Sequence, residues 1–127
     1  MNRLLMGLML LTGASETLAQ AEVIRLQCDG NYSDFSNDIR NVESRGDFVE
    51  IKKDTVRLVA FVTFGGTYRI DFTDEARILF TSPTDLSFSG NLSRLSGQII
   101  LSVKDPSNEN KLRALYSGAC RPAKPLF

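Results

Sequence analysis

No histidine occurs anywhere in this 127-residue chain. That absence removes a Ser-His-Asp triad, a Cys-His pair, a histidine-based zinc site and a histidine general base. Only carboxylates, lysine or tyrosine remain for an enzyme. Charge of one sign is also missing. Lysine plus arginine number 15, aspartate plus glutamate number 15, and no basic block or stripe stands out. This argues against nucleic acid and against anionic membrane surfaces as partners. No apolar run approaches the roughly 20 residues that a spanning helix needs. Nothing in the residues calls for a cofactor or a metal.

The N-terminus carries the three parts of a secretory signal. Asn2 and Arg3 make a short positive start, and Leu4 to Leu11 is apolar apart from Gly7. Small and polar residues then lead to Ala19-Gln20-Ala21, an A-x-A processing site. Cleavage is expected after Ala21, so residues 1–21 read as a signal peptide and 22–127 as one domain. A buried N-terminal helix is the alternative. Gln27 before Cys28 is too bulky for a lipid-attachment signal. Processing removes Arg3 and Glu16, one charge of each sign, and leaves the net charge at zero. The remaining length suits a single modest core.

Cys28 and Cys120 are the only cysteines. In an oxidising compartment such a pair reads as a disulfide, with two free thiols as the alternative. The bridge would close nearly the whole domain into one loop. The chain-entropy model assigns about 4–5 kcal/mol to a loop of that length.

From Phe48 onward the chain reads as short strands separated by turn residues. Tyr68, Ile70 and Phe72 alternate with Arg69 and Asp71; Leu86 and Phe88 alternate with Asp85, Ser87 and Ser89. A period of two belongs to half-buried antiparallel strands. Strands are expected near 23–29, 47–53, 56–63, 67–72, 76–81, 85–91, 97–103 and 111–119. Lys53-Asp54, Gly65-Gly66, Thr73-Asp74, Ser82-Pro83 and Asp105-Pro106-Ser107-Asn108 supply the turns. The fold class is therefore all-β: one antiparallel meander of about eight strands, closing as a barrel or folding as a sandwich. A bridge between the first and last strands would fasten such a closure, which also removes aggregation-prone edges.

Two strands are apolar on both faces. Val59 and Phe61 oppose Val56, Leu58, Ala60 and Val62, and Ile100 opposes Ile99, Leu101 and Val103. Something is expected to cover that second face. Phe35, Ile39 and Val42 fall at i, i+4 and i+7, which predicts a short helix near 34–44, with Ser33 as its cap and Gly46 as its end. The Ser, Asn and Asp of that segment favour a loop instead. Without a helix, the uncovered apolar surface becomes a candidate partner site.

Asp71, Asp74 and Glu75 form the best carboxylate group for acid–base chemistry on a glycoside. They sit at a strand end and its turn, where solvated charges are the ordinary finding. Asp29, Asn31, Ser33 and Asp34 begin like a calcium loop, but Asp34 stands where glycine is needed and Arg40 where glutamate is needed. Asn31-Tyr32-Ser33 and Asn91-Leu92-Ser93 match the glycosylation sequon, which matters only in a eukaryotic secretory pathway.

The segments Phe88-Ser89-Gly90-Asn91-Leu92-Ser93-Arg94-Leu95-Ser96-Gly97 and Tyr116-Ser117-Gly118-Ala119-Cys120-Arg121-Pro122-Ala123-Lys124-Pro125-Leu126-Phe127 carry a resemblance. With the signal and the early Cys28, they resemble small uncharacterised exported proteins of alphaproteobacteria, which share an L-x-R-x-[ST]-G turn and a C-[KR]-P-x-x-x-[LM]-F ending. The resemblance covers most of residues 48–127 and implies a periplasmic bacterial origin, but no activity. A second similarity, in architecture, is to the periplasmic inhibitors of C-type lysozyme, small eight-stranded barrels with a disulfide. Their inhibitory loop reads S-A-S-G-x-x-Y. Thr63-Phe64-Gly65-Gly66-Thr67-Tyr68 keeps a glycine and the tyrosine but lacks the serine pair. That comparison marks Phe64, Gly65, Gly66 and Tyr68 as candidate interaction residues; a plain hairpin turn is the alternative.

The tail Arg121 to Phe127 holds two prolines and is not expected to form a regular strand. Leu126 and Phe127 are expected to pack on apolar surface, either near Val59, Phe61 or Ile100 or on a partner. A frayed terminus is the alternative. An outer-membrane barrel is not expected, because its strands need about 9–11 residues with an apolar lipid face, whereas the strands read here are shorter and carry Arg69, Asp71, Arg77 and Asp85 at outward positions. The leading functional expectation is a periplasmic or secreted, non-catalytic binding or interaction protein. A carrier of a small apolar ligand inside the barrel comes second, with a lysozyme-inhibitor-like protein beside it. A carboxylate-based hydrolase comes last.

Overall fold

The computed structural model describes residues 22–123. The signal peptide expected over 1–21 and the tail residues Leu126 and Phe127 lie outside the described residues. Eight strands follow in chain order: β1 Ile24–Asp34, β2 Ile39–Ile51, β3 Thr55–Val59, β4 Gly66–Thr73, β5 Arg77–Thr81, β6 Phe88–Ser93, β7 Gln98–Asp105 and β8 Asn108–Pro122. Each pairs antiparallel with its sequence neighbours, and β8 pairs with β1, so the sheet is a closed barrel. Barrel rather than sandwich is thus decided by the seam. Cys28 and Cys120 stand directly opposite each other across it, with Cα atoms 4.0 Å apart, and are joined as a disulfide. Gly30 and Gly118 form the pair two residues further along the seam. A side chain on Gly30 would run first into Ser117 O and the Gly118 Cα, and one on Gly118 into Asp29 O, with Tyr116 next in both cases, so the glycines let the two strand backbones and that ring come close.

Inward positions alternate as the pleat requires. Val49 and Ile51, Val56 and Leu58, Ile78 and Phe80, and Ile99, Leu101 and Val103 are all buried. Six aromatic rings fill the interior together with them. Phe61 meets Tyr116 edge-on at 5.0 Å between centroids, Tyr68 meets Phe80 at 5.5 Å, and Tyr32 meets Phe64 at 6.3 Å. This edge-to-face geometry is the arrangement that ring quadrupoles favour.

Four expectations are corrected. No helix forms near 34–44. Asp34 Oδ1 instead accepts the backbone N–H groups of Ser36 and Asn37 at 3.1 and 3.2 Å, and Asp38 is left-handed (φ 56°), so the chain turns back as a hairpin. Short polar side chains that bond their own backbone outcompete a helical ladder. Second, β3 stops at Val59 rather than running to 63. Ala60 takes φ 70°, which turns the chain into the barrel mouth and sends Phe61 and Phe64 into the core. Third, Phe72 does not share the inner face with Tyr68 and Ile70. A register shift between Ile70 and Phe72 turns Phe72 to the surface, where the Arg77 guanidinium lies 5.7 Å from its ring. Fourth, β8 continues through Arg121 to Pro122, and the next N–H, from Ala123, donates to Arg25 O at 3.0 Å. A proline at a strand end costs no interior ladder bond. Phe48 and Ile100 remain exposed on the outer face, uncovered by any described residue.

Candidate functional site

The loops 60–65 and 82–87 share one end of the barrel, since β3 and β5 both run toward it and β4 and β6 run away. In the first loop Ala60 and Thr63 both have left-handed backbones, at φ 70° and 69°. For a β-branched residue that conformation is a genuine outlier, and such strain costs on the order of 1–3 kcal/mol per residue. Four hydrogen bonds hold it, one of them the 2.7 Å bond from Phe64 N–H to Val62 O across Thr63. Thr63 Oγ1 and the Tyr32 hydroxyl share a 2.6 Å hydrogen bond, Gly65 N–H donates to Phe61 O at 3.1 Å, and the Tyr68 hydroxyl donates to Phe64 O at 2.9 Å. Phe61 and Phe64 anchor the loop from below, Phe64 with no exposed surface.

The second loop is built from side chain to backbone bonds. Ser82 Oγ accepts the N–H groups of Thr84 and Asp85, and Asp85 Oδ1 accepts both the N–H and the hydroxyl of Ser87. The Ser87 bonds, with Arg113 nearby, hold the Asp85 carboxyl below its usual range, so it is ionised. Burial, with the Asp85 charge adding to it, pushes the Tyr68 phenol up to about 12, so it stays a neutral donor.

Between the loops lies a cleft of about 250 Å³ lined by Thr63, Gly65, Gly66, Thr67, Tyr68, Ser82, Thr84, Asp85 and Phe88. Its walls are hydroxyls, its floor is aromatic, and Asp85 is its one charge. The two loops also present Val62 and Leu86 to solvent, at 56% and 72% exposure. Arg113 flanks the cleft, 5.7 Å from the Phe88 ring. Larger troughs lie elsewhere. One of about 350 Å³ crosses the outer face near Leu79 and Ile100, and one of about 470 Å³ lies between Phe35 and Leu112. Neither is bounded by strained backbone.

Of the residues marked in the sequence, Gly65, Gly66 and Tyr68 meet in the cleft, while the Phe64 ring lies buried beneath it. The carboxylates do not converge. Asp71 is held by the Arg69 guanidinium and the Thr81 hydroxyl, and Asp74 caps the N–H groups of Ala76 and Arg77 in a turn. Both are pulled below their usual range by those bonds, so neither keeps the proton a general acid needs. Thr63, Asp85 and Phe88 carry no mark in the sequence, because a positive φ at threonine is not written in its neighbours.

A second polar group is enclosed in the wall. Asp47 stands opposite Cys28 and points inward, at 4% exposure, accepting a hydrogen bond from the Ser44 hydroxyl. Burial pushes its carboxyl upward, and Asp29 nearby adds to the shift. Asp29 itself is held by Gly46 N–H and by Arg121 at 3.0 Å. The buried Tyr116 hydroxyl has no partner among the described residues, and burial and these two carboxylates push it up to about 12.

The fold and these sites define a closed eight-stranded antiparallel barrel with a disulfide across its closing seam. Against known proteins the chain has no match to a family model, to a curated sequence or to a solved structure.

Proposed function

We propose that this chain is an exported, non-catalytic binding protein of the periplasm that engages a partner protein through the cleft between loops 60–65 and 82–87. One observation carries the reading: Thr63 keeps a costly left-handed backbone, pinned by a hydrogen bond to Tyr32 in the core. Strain retained at an exposed loop points to a conformation selected for recognition. A loop fixed in advance loses less entropy on binding. The disulfide fits an oxidising compartment. Packing of six rings inside the barrel favours this reading over a carrier, since an eight-stranded barrel either fills with side chains or holds a ligand. The missing serine pair in 63–68 weighs against inhibition of C-type lysozyme.

Affinity capture from periplasmic extract tests the reading, comparing the parent chain with Thr67→Arg, which fills the cleft, and Asp85→Asn. Thr67 is an exposed position at the start of β4 and Asp85 an exposed position of the second loop, so neither change touches a buried residue. The expected result is one protein retained by the parent and lost by Thr67→Arg. Equal retention by all three would remove the cleft from consideration.

A further inference from the structure

The barrel is closed, yet part of β2 has a neighbour on one side only. β3 pairs with β2 from Ile51 up to Phe48 and stops there, opposite Val59, because Ala60 turns the chain inward. Above Phe48, the stretch Ile39–Asp47 pairs with β1 alone. Alternate residues of a strand direct their N–H and C=O groups to the two sides. No backbone hydrogen bond from any described residue outside β1 reaches this stretch.

Val42 gives a second, independent sign. It stands opposite Tyr32, and opposite residues of an antiparallel pair share a face. Tyr32 is buried in the interior, but Val42 is 50% exposed. An apolar side chain on the inner face is left open because the next strand is missing. Left-handed residues, Asn41 (φ 52°) and Gly46 (φ 72°), bound the regular part of the edge to residues 42–45.

We propose that this edge is a second interaction site, which takes an extended segment of a partner polypeptide as an added strand. The proposal is independent of the loop cleft. The complement of an unpaired main-chain ladder is another main chain, with alternate side chains supplying selectivity. Here the partner places an apolar side chain against Val42. Arg40, Glu43 and Arg45 lie exposed along the same stretch, Arg45 paired with Glu43 at 3.1 Å and Arg40 with Asp38 at 3.6 Å, and such exposed pairs are weak enough for a partner's charges to replace. A second copy of this chain fits poorly. Two-fold pairing about Val42 sets each left-handed Asn41 against the other chain's Glu43 and breaks the ladder on both sides of the axis. Two-fold pairing about Glu43 opposes two carboxylates, and pairing about Ser44, which would match Glu43 with Arg45, sets the left-handed Gly46 of each chain against the other's Val42.

Amide hydrogen exchange of the purified protein tests this, with an acetylated and amidated peptide of alternating threonine and valine as the probe. Within residues 42–45, the amides that face away from β1 are expected to exchange fast in the free protein and about tenfold or more slowly with saturating peptide. Val42→Lys places an inward-facing charge on the edge, the means by which strand edges are blunted. It is expected to abolish the slowing without lowering the melting temperature, because Val42 is half exposed already. Slow exchange of those outward-facing amides in dilute free protein would overturn the proposal. So would peptide that gives no slowing, or equal slowing in Val42→Lys. Slowing that grows with protein concentration in the absence of peptide would assign the edge to a second copy and overturn it as well.

Discussion

The Tyr32 hydroxyl and Thr63 Oγ1 lie 2.6 Å apart, and this bond ties an exposed loop to the barrel interior. Tyr32 also donates to Asp34 Oδ2 at 3.3 Å, so the Thr63 hydroxyl is the donor to Tyr32. Tyr32→Phe is expected to lower stability by about 0.5–1.5 kcal/mol, the usual net worth of such a bond. In a Thr63→Gly background the same change is expected to cost less, because the bond to Thr63 is already gone and only the longer one to Asp34 is left to lose. Chemical denaturation of the four proteins in a double-mutant cycle measures the coupling; a coupling of zero would mean that the bond does not hold the loop.

The seam disulfide joins residues 92 positions apart. Removing it by Cys28→Ser with Cys120→Ser is expected to cost about 2–5 kcal/mol, as for other small domains that depend on one bridge. A denaturation midpoint close to the parent's would show that hydrogen bonding of β1 to β8 closes the barrel unaided.

Asp47 carries a pH dependence of unusual sign. Its folded pKa is raised by burial, so the ionised form opposes folding. That opposition is fully present above the folded pKa. It fades as pH falls and vanishes below the unfolded carboxyl value of about 4. Asp47→Asn is therefore expected to be more stable than the parent at pH 7, with the gain shrinking on acidification. Asp34 runs the other way. Ser36 and Asn37 hold its pKa at about 2, so its stabilising effect is present above the unfolded value and is lost as pH falls toward 2. Asp34→Asn is expected to be less stable at pH 7, with the deficit shrinking as pH falls toward 2. Melting temperatures across pH 2–7 for the three proteins decide both signs.

Gly90 faces Phe80 across the β5–β6 ladder, and a methyl group there would run into the Phe80 ring and Leu101. Gly90→Ala is expected to cost about 1–3 kcal/mol through overpacking. Adding Phe80→Leu is expected to restore part of the loss, read as a thermal shift. No recovery would mean that the strand backbone, not the ring, sets the need for glycine.

Much of the architecture is legible in the residues. Strands are expected near 76–81 and 97–103, where β5 and β7 lie, because turn residues bound those stretches. Two cysteines near the ends of the domain anticipate the seam. The misreadings share a cause. Phe35, Ile39 and Val42 have helical spacing, but Asp34 captures the neighbouring N–H groups first. Tyr68, Ile70 and Phe72 alternate on paper, but a bulge turns Phe72 outward. Of the loop cleft, Gly65, Gly66 and Tyr68 are visible as a turn and an aromatic, whereas Asp85 and Phe88 come from a different strand pair.

The sequence by itself determined an all-β chain with no histidine chemistry, a covalent tie between its first and last strands, and turns where short polar side chains hold the backbone. These follow from local periodicity and residue chemistry. Only the tertiary structure decided that β3 ends at Val59, that Thr63 is held left-handed by Tyr32, and that upper β2 lacks a second neighbour among the described residues. Each depends on a contact between residues distant in the chain. A strained backbone or an unpaired edge exists only relative to the strand that does, or does not, lie beside it.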